Sequence, residues 1–214
     1  MFFEYGEKEV EHLKSRDKKL GAAIEQIGHI HRETDEDIFS SVIHHIIGQQ
    51  ISTAAQATLW IRLNEKLKKI DTESVLSLSR EELQSIGMTY KKADYILDFS
   101  EKIHGGAFDI DALYQMEDAQ VIRELSSLKG IGVWTAEMIM TFCMQRPDVV
   151  SFGDLAILRG MRMLYRHRQI DRKRFDTLRK RYSPYGTVAS LYLWAIAGGA
   201  IAELNDPAPK KVKK

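Results

Sequence analysis

The stretch LKGIGVWTAEMI, from Leu128 to Ile139, contains the feature that organises this sequence. Glycine can adopt a positive φ or allow a second backbone to approach, so Gly130 and Gly132 predict a tight turn with Ile131 packed into the core. An amphipathic helix is expected from about Val133. The free N–H groups at its start would form an anion site suited to a phosphate diester. An ordinary glycine-capped corner between two helices explains this pattern equally well.

Helical periodicity continues along most of the chain. Apolar residues recur at helical spacing in DEDIFSSVIHHIIGQQIS (35–52), and YKKADYILDFSEKI (90–103) is followed by a Gly-Gly stop. Further helices are predicted at Asp118–Ser126, Trp134–Met144, Leu155–Tyr165, Arg172–Arg181 and Val188–Ala202. Only the initial MFFEYG suggests a short strand, so the sequence predicts an all-α protein.

Composition excludes several classes of site. The chain has 214 residues and one cysteine, Cys143, which rules out an intrachain disulfide and a four-cysteine iron–sulfur cluster. The charged N-terminal sequence predicts no signal peptide, and no apolar run has the length of a membrane span. Charge is unevenly distributed, with a net −8 over residues 1–150 and +9 over residues 151–214. The basic region predicts a nucleic-acid-binding face, although a solvated charged surface would account for part of it.

Asp154 is the candidate catalytic residue. It follows Gly153 and opens the predicted helix LAILRGMRML. One interpretation is an N-cap aspartate, which is common in helices and contributes about 1 kcal/mol. The other is a functional carboxylate at a cleft between two helical lobes.

The order of four motifs resembles one family. LKGIGVWTA followed by Asp154 is similar to the helix–hairpin–helix DNA glycosylase superfamily, and within it to the 3-methyladenine DNA glycosylase II group. IIGQQIS (46–52) resembles that family's minor-groove wedge, and IGMTYKKADYI (86–96) resembles its IG-x-x-x-x-KA-x-x-I segment. The likeness extends from about Ile38 to Gly199.

The resemblance implies a fold and its division into parts. It implies an all-α, two-lobed glycosylase fold with the active-site cleft between the lobes. The first lobe would cover residues 36–125. The hairpin and catalytic lobe, 126–204, would pack with residues 1–35, and residues 205–214 would form a basic tail.

The implied activity is excision of alkylated purines, of the 3-methyladenine and 7-methylguanine type, from duplex DNA during base excision repair. Asp154 would be catalytic, and Trp134, Trp194, Met138 and Tyr192 would line the substrate pocket. Trp134 stands where lyase enzymes of the superfamily carry a lysine, so a monofunctional glycosylase without AP-lyase activity is expected. Two alternatives are a glycosylase for hypoxanthine, uracil or a mismatched base, and a non-catalytic DNA-binding module.

The resemblance also implies the binding residues. Gln50 would be the wedge, an interpretation favoured over the alternative of a polar helix end. The full set of expected DNA-binding residues is Gln49, Gln50, Ile51, Lys129, Gly130, Ile131, Gly132, Val133 and Thr135. The family precedent allows a structural Na⁺ or K⁺ at the backbone of Ser126, Leu128 and Gly130, with no other cofactor required. The expected partner is damaged double-stranded DNA, bound by a monomer without membrane association. The expected location is the cytoplasm, at the nucleoid in a bacterium, or the nucleus in a eukaryote.

Overall fold

The computed structural model of the chain describes residues 1–35 and 37–208. This part contains twelve α-helices, which confirms the prediction of an all-α protein. The predicted strand at the N-terminus contributes only an isolated antiparallel bridge between Phe2 and Glu33. Among the described residues, none of the helices is both long and apolar enough to cross a membrane.

The chain divides into two compact units. Unit 1 comprises Met1–Thr34 and the described part of Gln145–Lys214. Its helices are α1 (Glu7–Arg16), α2 (Lys18–Ile27), α10 (Leu155–Tyr165), α11 (Arg172–Tyr182) and α12 (Gly186–Ala197). Helices α10 and α12 cross so closely that a Cβ atom at Gly160 would overlap the backbone of Leu193. The core of unit 1 includes Leu13, Leu20, Ile157, Met161 and Leu193.

Unit 2 is the described part of Asp35–Met144. Its helices are α3 (Ile38–Gly48), α4 (Thr53–Leu67), α5 (Thr72–Leu76), α6 (Arg80–Ser85), α7 (Tyr90–His104), α8 (Asp118–Ser127) and α9 (Val133–Phe142), with a 3₁₀ helix at Asp111–Gln115. Helix α3 packs against α4, α7 and α9, and α8 pairs with α9. The core of unit 2 includes Val42, Ile46, Leu63, Ile96, Leu125 and Ile139.

The observed boundaries differ from the predicted ones. The prediction divided the lobes after residue 125, whereas the hairpin and α9 group with unit 2, whose boundary falls after Met144. The reason is that α9 packs against α3 and α8 of that unit. Helix α12 ends at Ala197 rather than at residue 202, because Gly198 caps it and Gly199 has a φ of 93°. The last six residues of the predicted basic tail lie outside the described residues.

Candidate functional site

The glycine hairpin joins α8 to α9 in unit 2. Gly130 has a φ of 84°, and Ile131 is only 4% exposed, so the predicted turn and its buried isoleucine are confirmed. Gly132 has a φ of −98°, which any residue can adopt, and a Cβ atom there would meet nothing within 4 Å. Helix α9 starts at Val133, and its N-cap residue, Gly132, has no side chain with which to cap it. The N–H groups at the start of a helix favour an acceptor or an anion.

Helix α7 supports this hairpin from one side. The ring of Tyr95 lies against Gly130 so closely that a Cβ atom there would overlap it. Lys129 pairs with Asp98, also on α7, at 2.5 Å between Nζ and Oδ1. Lys129 was predicted to bind DNA, and in this structure a carboxylate partly neutralises its charge.

The segment Gly48–Ser52, called the wedge segment below, follows α3 in the same unit. Gln50 is exposed and has a φ of 58°, in the left-handed region, and Ile51 is also exposed. The side-chain amide of Gln49 donates a hydrogen bond to the carbonyl of Gly130 at 2.6 Å. The structure thus brings the glycine hairpin together with the segment that the family resemblance identified as a wedge.

A cavity of about 350 Å³ lies between the wedge segment and the start of α9. Its lining comprises His45, Gly48, Gln49, Gln50, Gln56, Trp134 and Thr135. Trp134 is 45% exposed, whereas Thr135 is buried. Burial lowers the pKa of His45 to about 4, with an opposing contribution from Asp35. The imidazole is therefore neutral near pH 7 and offers one donor and one acceptor.

Asp154 lies in unit 1 as the N-cap of α10. Its Oδ1 atom accepts hydrogen bonds from the backbone N–H groups of Ala156 at 2.8 Å and Ile157 at 2.9 Å. The residue is 7% exposed, and Leu155 beside it is 81% exposed. The N-cap interpretation is therefore confirmed. The catalytic role of Asp154 stays a prediction.

The other predicted pocket residues differ in exposure. Trp194 on α12 is half-buried. Met138 and Tyr192 are buried, and the Tyr192 hydroxyl donates to the carbonyl of Gly28 at 3.1 Å and contacts the Tyr5 hydroxyl. Their burial favours a supporting position for these two side chains. Contact with a base remains a prediction for all three residues.

The cation proposed for the hairpin can be compared with the geometry of its carbonyls. The carbonyl of Leu128 accepts from the Ile131 N–H at 3.1 Å, and that of Gly130 accepts from Gln49. Each carbonyl retains a second lone pair. The hydroxyl of Ser126 is buried and has no hydrogen-bond partner among the described residues. The cation stays a prediction.

Much of the basic C-terminal region is used inside unit 1. Arg162 forms a bidentate pair with Asp206, with N–O distances of 2.8 and 2.6 Å. Arg179 donates to the carbonyl of Asp148 at 3.0 Å. Other pairs are Arg172 with Asp176 and Arg181 with Asp17. The alternative of a structural role thus accounts for several of these charges.

Sequence reasoning did not select His45 and Gln56, which line the cavity. It also did not select Tyr95, which lies against Gly130, or Lys92, which donates to the carbonyl of Ile47 near the end of α3. Lys92 and Tyr95 lie within the quoted IGMTYKKADYI motif, so their membership in it was the one available signal.

Comparison with known proteins agrees with this arrangement. Residues 43–184 match the HhH-GPD superfamily base excision DNA repair protein family. The structure resembles that of a DNA-3-methyladenine glycosidase from Bacillus halodurans, with a TM-score of 0.84, 33% identity and 95% coverage of both chains. It also resembles the 3-methyladenine DNA glycosylase of Schizosaccharomyces pombe in complex with abasic DNA, with a TM-score of 0.79, 23% identity, and coverage of 92% of this chain and 99% of that one.

Two relatives from Bacillus subtilis, the putative DNA-3-methyladenine glycosylase YfjP and a DNA-3-methyladenine glycosylase, are longer. They are 27% and 23% identical to this chain over 75% of its length, and the matches span 59% and 57% of their own lengths. By contrast, DNA-3-methyladenine glycosylase 1 of S. pombe is 24% identical, and the match covers 94% of this chain and 91% of that protein. With its family match covering residues 43–184, the chain belongs to the HhH-GPD superfamily of base excision DNA repair proteins.

Proposed function

We propose that this protein is a monofunctional DNA glycosylase that hydrolyses the N-glycosidic bond of alkylated purines in duplex DNA. The observation that carries the proposal is Asp154, held at the start of α10 in a chain 33% identical to a DNA-3-methyladenine glycosidase. The names of the relatives from B. subtilis and S. pombe support the same substrate class. The proposed substrates are of the 3-methyladenine and 7-methylguanine type.

The proposed chemistry starts from the charge on the substrate. Alkylation at N3 or N7 makes the purine cationic, so it leaves readily and needs little help from a general acid. As the bond to C1′ breaks, positive charge develops on the sugar, and the Asp154 carboxylate would stabilise it. The same carboxylate would orient or deprotonate the attacking water. Its two backbone hydrogen bonds fix the orientation of the carboxylate before substrate arrives.

Trp134 has two roles in the proposal. Its exposed indole would stack on the cationic base, a cation–π contact worth about 0.5–2 kcal/mol. Because it occupies the position of the lyase lysine, there is no amine at that position to form a Schiff base. Lys129 precedes the turn and is paired with Asp98. Release of the base without strand cleavage is therefore expected.

DNA binding in this proposal uses the hairpin and the wedge segment. The N-terminal end of α9, which follows Gly132 in the hairpin, would bind a backbone phosphate. Gln50, exposed at the tip of the wedge segment, would fill the space that the extruded base leaves. We infer that the protein acts on damaged double-stranded DNA as a monomer.

The decisive experiment compares three proteins on single-lesion duplexes. Wild type should release 3-methyladenine and 7-methylguanine and leave alkali-labile abasic sites. Asp154→Asn keeps an N-cap oxygen but should lose excision by at least about 100-fold. Asp171→Asn is the matched control, because Asp171 is also an N-cap aspartate, for α11, and should stay active.

Two results would contradict the proposal. One is wild-type protein that releases only hypoxanthine, uracil or mismatched bases, or no base at all. The other is an Asp154→Asn variant with wild-type rates. Borohydride should trap no covalent adduct with DNA, and a trapped adduct would contradict the monofunctional mechanism.

A further inference from the structure

Lys92 occupies a buried position, where an apolar side chain would be expected from packing alone. It lies in the IGMTYKKADYI motif, to which the proposed mechanism assigns no role. The residue is 9% exposed, and its Nζ atom donates to the carbonyl of Ile47 at 2.7 Å. Burying an ammonium group is costly unless it is compensated, and burial lowers the pKa of Lys92. A leucine or methionine would fill this volume at lower cost.

The compensation comes from the end of α3. The last four carbonyls of a helix lack partners within the helix, and they carry its negative partial charge. Ile47 is the penultimate residue of α3, directly before the wedge segment. Lys92, on α7, therefore caps the C-terminal end of α3. Its positive charge is favourable there because the C-terminal end of a helix carries negative partial charge.

Two further side chains hold the same turn. The Gln56 amide donates to the carbonyl of His44 at 3.0 Å and covers Gly48, where a side chain would overlap it. Gln49 is tied to the hairpin through Gly130. Contacts from α4, α7 and the hairpin thus converge on the wedge segment.

These contacts explain how Gln50 keeps its conformation. A left-handed non-glycine residue costs about 1–2 kcal/mol, and such a conformation persists when surrounding contacts determine it. Without them, the segment would relax to other conformations, and Gln50 would be presented at many angles.

We propose that Lys92 is a positioning residue for base extrusion, which holds the end of α3 so that Gln50 enters the duplex in one conformation. The same helix, α7, supports the hairpin through Tyr95, one turn further along. Helix α7 thus contacts both the residue before the wedge segment and the hairpin, and so helps to fix their relative position. This inference rests on the proposed glycosylase function.

The proposal predicts that the effect of Lys92 on the excision rate depends on whether the damaged base is paired or already outside the stack. Extruding a paired base costs a few kcal/mol, and a wedge is needed for that step. A lesion in a single-nucleotide bulge is already out of the stack. A misplaced wedge should therefore slow excision from a paired duplex and affect a bulged lesion little, whereas general damage to the fold would slow both.

The test measures single-turnover excision of the same alkylated purine from a paired duplex and from a bulge. Lys92→Met keeps the length and loses the donor. It should be about tenfold slower or more on the paired duplex and within about threefold of wild type on the bulge. Lys91→Met, at the exposed neighbouring lysine, is the matched control and should stay close to wild type on both. Gln56→Leu, which removes the second clamp, should reproduce the Lys92→Met pattern.

An equal loss of excision rate on both substrates would assign Lys92 a merely structural role and overturn the inference. Unchanged excision rates on both substrates would also overturn it. If Lys92→Met does not fold, as judged by near-ultraviolet circular dichroism, Gln56→Leu decides by the same criteria. A wild-type protein inactive on both substrates would instead refute the proposed function, so the two failures are distinguishable.

Discussion

The side-chain amide of Gln49 bonds to the backbone carbonyl of Gly130 across a separation of 81 residues. This contact joins the wedge segment to the hairpin inside unit 2. The segment proposed to enter the duplex and the segment proposed to bind its backbone are therefore held at one distance. Substitutions in the hairpin should consequently alter the conformation of the wedge segment.

The two hairpin glycines should respond differently to alanine. Gly130→Ala would put a Cβ into the Tyr95 ring at a positive φ, and should cost about 2 kcal/mol or more in the free energy of unfolding. Gly132→Ala meets nothing within 4 Å in the protein and should change stability by less than about 1 kcal/mol. Urea denaturation measures both.

The same two variants distinguish a glycine needed for packing of the turn from a glycine needed for DNA binding. If the backbone at Gly132 approaches a phosphate, Gly132→Ala should weaken DNA affinity while stability is kept. Equal stability of the two variants would show that the Tyr95 contact does not constrain the turn.

Trp134 should matter for catalysis more than for folding. Because its side chain is 45% exposed, Trp134→Ala should lower the free energy of unfolding by less than about 1.5 kcal/mol. Loss of stacking and of the cation–π contact should reduce excision of cationic purines by about tenfold or more. Trp134→Phe should recover part of the rate. A destabilisation above about 3 kcal/mol would instead identify Trp134 as a core residue.

The stability of the protein should fall as pH drops from 6.5 towards 4, partly because of His45. Its folded pKa of about 4 lies below the ordinary value of 6.5, so in this window the unfolded state binds more protons. His45→Gln should therefore lose less stability than wild type between pH 7 and pH 5. His104→Gln, at an exposed histidine of α7, is the control. Identical pH dependence of wild type and His45→Gln would contradict the buried neutral imidazole.

Asp17 should be among the most sensitive positions of unit 1. It is 4% exposed, caps α2, and accepts hydrogen bonds from the Tyr165 hydroxyl at 2.9 Å and Arg181 at 3.0 Å. Asp17→Ala would leave both donors without this acceptor and should cost about 3–5 kcal/mol. Asp171→Ala removes an exposed cap and should cost about 1 kcal/mol. Similar losses for the two variants would refute the importance of the buried network.

Local sequence signals determined much of the fold and of the candidate site. The hairpin turn at Gly130 and the N-cap at Asp154 are decided within a few residues, and each is observed. Helical periodicity was sufficient for the all-α class because it depends on neighbours three and four positions apart. The errors fell at helix ends, where α12 stops five residues early, and at the boundary between the lobes.

Only the tertiary structure could decide the polar contacts between distant segments. Lys92 and Ile47 are 45 residues apart, Gln49 and Gly130 are 81 apart, and Asp17 and Arg181 are 164 apart. A lysine or an arginine in a helical pattern has the same local signature whether it faces solvent or caps another helix. Its partner is a carbonyl or a carboxylate brought near by packing, and no periodicity along the chain encodes that distance.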